Sequence, residues 1–407
     1  MPNDFKKLML ARLLFTSAAQ MQAVVLGWKM YELTNDPLAL GMIGLAEAVP
    51  ALSLALYAGN IVDKSRPLIV YRRVLMISFL SALVVLLSKF FSEQLTSQGH
   101  VISLYVASVL TGLARAFSQP AMFATVPRLV PRNLLTLSSA WMSSAVQIGR
   151  ISGPALGGIL YGFVGFKFTS MSICVLFLIA ILEVSLISVI NMPPHNSGKA
   201  SGGKEDFLIG AKFVFKHPLL LPALSLDMFS VMFGSVVALL PIYCKEILLV
   251  GPKGLGLLRA APSVGAILMS FYLTKFKFQK KAGFYLLSSV FGFGISILVF
   301  AVSKNFALSF VALLLSGSFD SVSMVIRSSI VQMFSPDHMR GRISAVNAMF
   351  IGSSNEIGEF ESGVAAKFMG TVPSAIFGGL MCLICVITVT IMSPSLRSMN
   401  LEEAEKA

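Results

Sequence analysis

Gly149-Arg150-Ile151-Ser152-Gly153-Pro154-Ala155-Leu156-Gly157-Gly158-Ile159-Leu160-Tyr161-Gly162 lies within an apolar segment running from about Leu134 to Val164. In a water-exposed helix each interior glycine costs about 1 kcal/mol and a proline about 3 kcal/mol, so a helix that keeps this many needs close backbone contact. Bilayer helices use such contacts. Small residues let two helices approach where no hydrophobic force drives them together, and a proline is tolerated when neighbours satisfy the freed carbonyl. On these residues alone, a tight helix crossing with no further role is an equal reading.

The segment recurs. Pro131 to Gly165 aligns without a gap on Pro336 to Gly370, which sets Gly153 on Gly358, Gly158 on Gly363 and Gly165 on Gly370. Continued upstream, the register sets Gly112 on Gly317 and Arg115 on Asp320. Glycines and a proline held in register over two apolar helices indicate a duplicated unit, the pattern of a secondary transporter with related halves.

Composition agrees. The 407 residues are 56% hydrophobic and 13% charged, against about a quarter charged in soluble domains, so the chain reads as a polytopic membrane protein. There is room for about twelve spans of ~20 residues. They are expected near 8–31, 39–62, 68–88, 101–127, 134–164, 168–190, 218–243, 254–274, 282–303, 305–334, 342–370 and 371–393. The fold class expected is an all-α polytopic membrane protein of twelve transmembrane helices in two pseudo-symmetric six-helix bundles. Residues 1–190 form the N-terminal bundle, 191–217 a flexible cytoplasmic linker rich in Gly and Ser, 218–393 the C-terminal bundle, and 394–407 a frayed or amphipathic tail.

The net charge of +13 does not point to nucleic acid, because the basic residues are scattered over short loops. They sort by side instead. Lys6, Lys7, Lys64, Arg66, Arg72, Arg73, Arg128, Arg132, Lys199, Lys204, Lys212, Lys216, Lys275, Lys277, Lys280, Lys281, Arg340, Arg342, Arg397 and Lys406 fall on one side, with Lys89, Lys167, Lys245, Lys253, Lys304 and Lys367 opposite. The positive-inside rule then puts both termini in the cytoplasm, and the membrane expected is the plasma membrane, the inner one if the cell is Gram-negative. Lys6 and Lys7 lead straight into a full-length span, so no cleavable signal is expected. Cys174, Cys244, Cys382 and Cys385 read as packing residues, no metal cluster or cofactor is expected, and no phosphate-binding G-x-x-x-x-G-K-[ST] loop appears.

Particular residues resemble the major facilitator superfamily. Gly59-Asn60-Ile61-Val62-Asp63-Lys64-Ser65-Arg66, followed by Arg72 and Arg73, resembles that family's cytoplasmic loop motif, in which a glycine allows a tight helix end and an aspartate accepts from a neighbouring helix or arginine. The resemblance implies a latch in which Asp63 faces Arg340 and Arg342. The final basic pair is displaced from the usual spacing, and the equivalent loop Lys275–Lys281 lacks an acid. Gly149, Gly153, Pro154, Gly157 and Gly158 resemble the antiporter motif G-x-x-x-G-P-x-x-G-G of the drug:proton antiporter type, which implies efflux. Arg115 resembles the family's membrane-embedded arginine, although Ser118-Gln119-Pro120 departs from what usually follows. Arg340-Gly-Arg-Ile-Ser-Ala-Val-Asn347 and Asn355-Glu-Ile-Gly358-Glu-Phe-Glu-Ser-Gly363 look like the branch containing the enterobactin exporter and macrolide efflux pumps.

An ionisable residue within a span needs a partner, water or a short route to the interface. Glu47, Glu183, Asp227, Asp320, Glu356, Glu359 and Glu361 qualify. Glu356 and Glu359 share a helix face, so both cannot ionise cheaply and one should hold a proton, unless an intramembrane arginine such as Arg150 pairs with them. Arg115 and Asp320 either face each other or serve their own halves, and Arg327 is either the neighbour of Asp320 or a cytoplasmic-side gate. The proton-coupling candidates are Glu356, Glu359, Asp320, Asp227 and Glu47. Gln20, Gln22 and Gln147 are candidate cavity polar groups. The expected function is proton-coupled efflux of a small amphipathic molecule, a siderophore or drug-like compound, by a monomer working through alternating access. Uptake, lysolipid flipping and a non-transporting membrane receptor are the alternatives, and an enzyme is not expected.

Overall fold

A computed structural model describes residues 1–90, 96–188, 204–275, 280–336, 339–400 and 402, apart from the side chains of residues 56, 63, 204–207 and 345. In order, the helices are α1 (Asn3–Thr34), α2 (Pro37–Lys64), α3 (Pro67–Phe90), α4 (Ser97–Leu129), α5 (Leu135–Ser185), α6 (Lys204–Lys216), α7 (Leu220–Gly234), α8 (Leu240–Ile242), α9 (Gly251–Lys275), α10 (Ala282–Val302), α11 (Phe306–Phe334), α12 (Arg340–Met369), α13 (Thr371–Met392) and α14 (Pro394–Arg397). Polar residues stop the apolar runs and cap them. The Asp36 carboxylate accepts from the Leu38 N–H with Pro37 opening α2, the Thr96 hydroxyl accepts from Gly99, and the Asn305 amide oxygen accepts from Ala307 and Leu308.

Ten helical stretches among the described residues are long and apolar enough to cross a bilayer. The difference from the expected twelve has two causes. Arg132–Ser185 counts once although it contains a break at Gly165, where φ 77 and ψ 179 leave the helical region. The repeat-related Gly370 does the same between α12 and α13, with φ 92 and ψ 160. These are conformations that side chains with a Cβ resist. The 30-residue α12 is the second cause, since it carries Arg340, Arg342, Glu356, Glu359, Glu361 and Lys367 and is too polar to count. The span expected at 218–243 is also not one helix: α7 stops at Gly234, and a 3-10 turn, α8 and a π-helical turn, Tyr243–Ile247, carry the chain on.

The chain divides into two compact units, Met1–Ser201 with Val250–Ala260, and Gly202–Leu249 with Ala261–Ala407. In the first, α1 packs along α5 while α4 packs on both α2 and α3. Around the crossings lie Leu8, Val24, Val25, Tyr71, Leu75, Leu104 and Phe177, all buried. In the second, α7 packs on α12 and α13, and α10 on α11 and α13. Its core gathers Leu220, Leu224, Leu226, Leu286, Ile326, Ile330 and Ile343.

The stretches read as a flexible linker and as a frayed or amphipathic tail are structured where they are described. The linker contains α6, whose buried Val214 joins the core of the second unit, so the segment before α7 is helix rather than flexible chain from Lys204 onward. The tail as far as Asn400 is tied down through α14: Leu396 and Met399 are buried, and the Gly283 N–H donates to the Met399 carbonyl. Residues 191–203 lie outside the described residues.

Candidate functional site

The antiporter-motif helix presents two small-residue faces. Gly149, Gly153 and Gly157, one turn apart, lie against Thr16, Ser17, Gln20 and Met21 of α1. Pro154, Gly158 and Gly162 form the second row, where Gly158 meets the Pro252 carbonyl and Gly256, and Gly256 meets the Pro154 carbonyl. Here two backbones touch, as small-residue crossings in membranes allow. The counterpart Gly358 of α12 lies against the Met232 carbonyl and Ser235 at the end of α7.

Gly112 of α4 abuts the Glu47 carbonyl and Pro50 of α2, and its counterpart Gly317 of α11 abuts the Pro262 carbonyl of α9. The α2–α4 approach sets the first charge pair. Arg115, one turn beyond Gly112, donates from Nη1 to Glu47 Oε2 at 3.2 Å. The arginine thus serves its own unit, where Glu47 meets it from the neighbouring helix.

In the second unit Arg327 of α11 pairs with Asp227 of α7, both side chains about 5–7% exposed. Arg327, read as either the neighbour of Asp320 or a cytoplasmic-side gate, meets Asp227, while Asp320 stands seven residues earlier on α11 and is half-buried. The reason is that α7 and α11 pack on each other, while residues within one helix seven apart are separated by about 10 Å of rise. Ser230 lies one turn from Asp227, and Ser323 one turn before Arg327, and both hydroxyls are buried without a hydrogen-bond partner. The two helices that carry the buried ion pair thus also carry two unsatisfied buried hydroxyls.

The α12 carboxylates are not equivalent. Glu356 is buried, with 5% exposure, while Glu359 and Glu361 are half-buried, and Glu361 borders Ser362 and Cys382. Gln22 is held inside its own unit, donating to Ser81 Oγ at 2.7 Å and to Thr111 Oγ1 at 3.3 Å. Gln20 supplies packing to Gly153, and Gln147 accepts from Arg150 at 3.5 Å.

The latch resemblance fares differently. Gly59 does not turn a helix end: α2 runs through it to Lys64, Ser65 caps the helix in an extended conformation, and a Cβ on Gly59 would meet nothing within 4 Å. The side chain of Asp63 lies outside the described residues. Arg72 and Arg73 lie in the first turns of α3, Arg340 and Arg342 open α12, and Arg342 abuts Gly210 of α6.

Sequence reasoning passed over Arg12. This α1 arginine is 7% exposed, donates to Ser118 Oγ at 2.7 Å, lies 5.5 Å from the Phe15 ring centroid and neighbours Tyr71. Its place within the first span was the available signal; its partners on α3 and α4 were not readable.

The arrangement is a polytopic helical fold, and solved structures share that fold. The fold matches a POT family transporter in complex with 5-aminolevulinic acid at a TM-score of 0.77, 11% identity and 97% coverage of both chains. It also matches a bacterial homologue of the iron transporter ferroportin in an inward-facing state at 0.72, with 16% identity and 97% and 99% coverage. These likenesses show the fold; the class, a multi-pass membrane transporter of the major facilitator type, is shown by a family model that covers nearly the whole chain and by exporter relatives. More narrowly, it belongs to the transmembrane secretion effector family, whose model matches residues 2–406. Among curated relatives, the enterobactin exporter EntS of Shigella dysenteriae serotype 1 is 24% identical over 297 residues, 73% of this chain and 70% of the relative. The EntS of Escherichia coli O1:K1 matches with the same identity and coverage.

Proposed function

We propose that the protein is a proton-coupled exporter of a small amphipathic molecule, of siderophore or drug-like size, working by alternating access in the plasma membrane with both termini cytoplasmic. Export is supported by the family description, by the exporter relatives and by the antiporter-like row Gly149–Gly158. Residues 1–190 and 218–393 are the two moving bundles in this reading, with 191–217 joining them. One observation carries the coupling: the buried Asp227–Arg327 pair bridges α7 and α11 beside the unsatisfied hydroxyls of Ser230 and Ser323. A proton on Asp227 cancels its charge and breaks the pair, which changes the free energy of the α7–α11 contact and gives a proton a way to bias one conformation. Glu356, buried on the helix that packs on α7, is the second candidate, with Glu359, Asp320 and Glu47 behind it.

The test uses purified protein in liposomes holding a pH-sensitive dye, a pH gradient, and a panel of catecholate siderophores and lipophilic antibiotics. Substrate-driven proton movement that Asp227→Asn abolishes is the expected result. Loss only in Glu356→Gln/Glu359→Gln would transfer the coupling role to α12. Binding of a compound with no proton movement in the wild type would overturn proton coupling.

A further inference from the structure

The helix α6 has one face that is largely exposed, with only the Phe215 ring near a described aromatic neighbour, Phe350. Its inner side is used: Val214 is buried in the core, Gly210 abuts Arg342 at the start of α12, and the Phe213 and Phe334 rings flank His217 at 5.5 and 5.6 Å. On the outer side stand Leu208, Ile209 and Phe215, exposed by 63%, 46% and 59%, with Lys212 and Lys216 also exposed. Positions 208, 212, 215 and 216 recur at helical spacing and share one face with 209 beside them. Three large apolar side chains and two lysines on one face do not suit open water.

The position of the helix names the occupant. Only His217, Pro218 and Leu219 separate α6 from α7, whose apolar stretch Leu220–Ile247 is long enough to cross the bilayer. The outer face of α6 therefore sits at the level where that span enters the membrane. A helix with apolar residues on a lysine-bearing face at this depth matches the chemistry of an interfacial helix: the apolar groups enter the acyl boundary and the lysine stems reach up to headgroups.

We propose that α6 is a membrane-surface helix whose Leu208, Ile209 and Phe215 insert into the leaflet from which α7 enters, while Lys212 and Lys216 bind the phosphates of anionic lipid headgroups. The lipid bound is an anionic phospholipid, selected by charge over a zwitterionic one. Two lysines near a charged surface give roughly a tenfold or larger preference at low salt, and this preference falls as salt rises. Because Gly210 abuts Arg342 and the Phe215 ring lies 6.4 Å from Phe350, lipid bound at α6 steadies the first turns of α12.

The experiment places full-length protein in nanodiscs of phosphatidylcholine alone or mixed with phosphatidylglycerol. Leu208→Trp, in a Trp28→Phe/Trp141→Phe background, reports insertion through quenching by lipids brominated on the acyl chain. Thermal unfolding of the otherwise native protein reports lipid binding. The expected result is strong quenching of the new tryptophan, together with a rise in Tm on adding phosphatidylglycerol that Lys212→Glu/Lys216→Glu removes and high salt reduces. A tryptophan quenched by aqueous iodide but not by brominated lipid would overturn the proposal. So would an equal Tm rise in wild type and the charge-reversed variant. A face covered instead by a second copy of the chain, seen as a dimer by light scattering with no bromolipid quenching, would overturn it as well.

Discussion

At the scale of single residues, the decisive quantity is what a neighbouring backbone leaves room for. A Cβ on Gly158 would overlap the Pro252 carbonyl and lie 2.7 Å from Gly256 Cα, and neither is a flexible side-chain end. Gly158→Ala should therefore cost about 1–3 kcal/mol by overpacking, read as a lower Tm in detergent. Gly59→Ala, with open space around it, should be neutral or stabilising by about 0.5–1 kcal/mol. Asp227→Asn leaves the Arg327 guanidinium buried without its counter-charge and should destabilise by about 3–5 kcal/mol. If the ion pair is the reason, adding Arg327→Leu to Asp227→Asn should restore much of the lost Tm. The Arg115–Glu47 pair is more exposed, 47% on the arginine side, so Glu47→Gln should cost about 1 kcal/mol or less.

At the scale of elements, helix ends carry the predictions. His217 caps the start of α7, its Nδ1 accepting from the Leu219 and Leu220 N–H groups at 3.2 and 3.3 Å. Burial between two phenylalanine rings holds its pKa below the usual histidine value of 6.5. Above about pH 6.5 folded and unfolded imidazoles are both neutral and the cap is intact. Below it the unfolded state takes up the proton first, so stability should fall with pH until the folded imidazole titrates. His217→Asn, which keeps an acceptor and removes the titration, should flatten the Tm profile between pH 6.5 and 5 (about the histidine range). Gly165 and Gly370 make the sharp breaks between paired helices at φ 77 and φ 92, so Gly370→Ala should cost about 1–3 kcal/mol through backbone strain.

At the scale of the whole molecule, the basic bias of the loops predicts the side on which the chain ends. A fluorescent-protein fusion at the C-terminus should fold and fluoresce in cells, while a periplasmic alkaline phosphatase reporter there should stay inactive. The repeat is visible as paired chemistry, with Gly112 and Gly317 each abutting a carbonyl on a neighbouring helix, and Gly165 and Gly370 each ending one. The charges do not follow this symmetry. Arg115 and Asp320 occupy matching positions in sequence, yet Arg115 pairs with Glu47, and a buried pair of the second unit is Asp227–Arg327.

The sequence by itself determined that the chain is helical and membrane-embedded, because apolar spans, loop lysines and in-register glycines are local signals with fixed periods. It also pointed to close helix approaches at Gly112, Gly153 and Gly158, where glycines recur in register, although Gly59 of α2 meets nothing. Only the tertiary structure decided which ion pairs form, because partners such as Asp227 and Arg327 lie a hundred residues apart and meet through the packing of α7 on α11. Packing likewise decided that Arg12 is buried against Ser118 and that the segment from Lys204 is a helix. The physical reason is the same in each case: spacing along one helix sets which face a residue shares, whereas burial and charge pairing depend on which other helix that face meets.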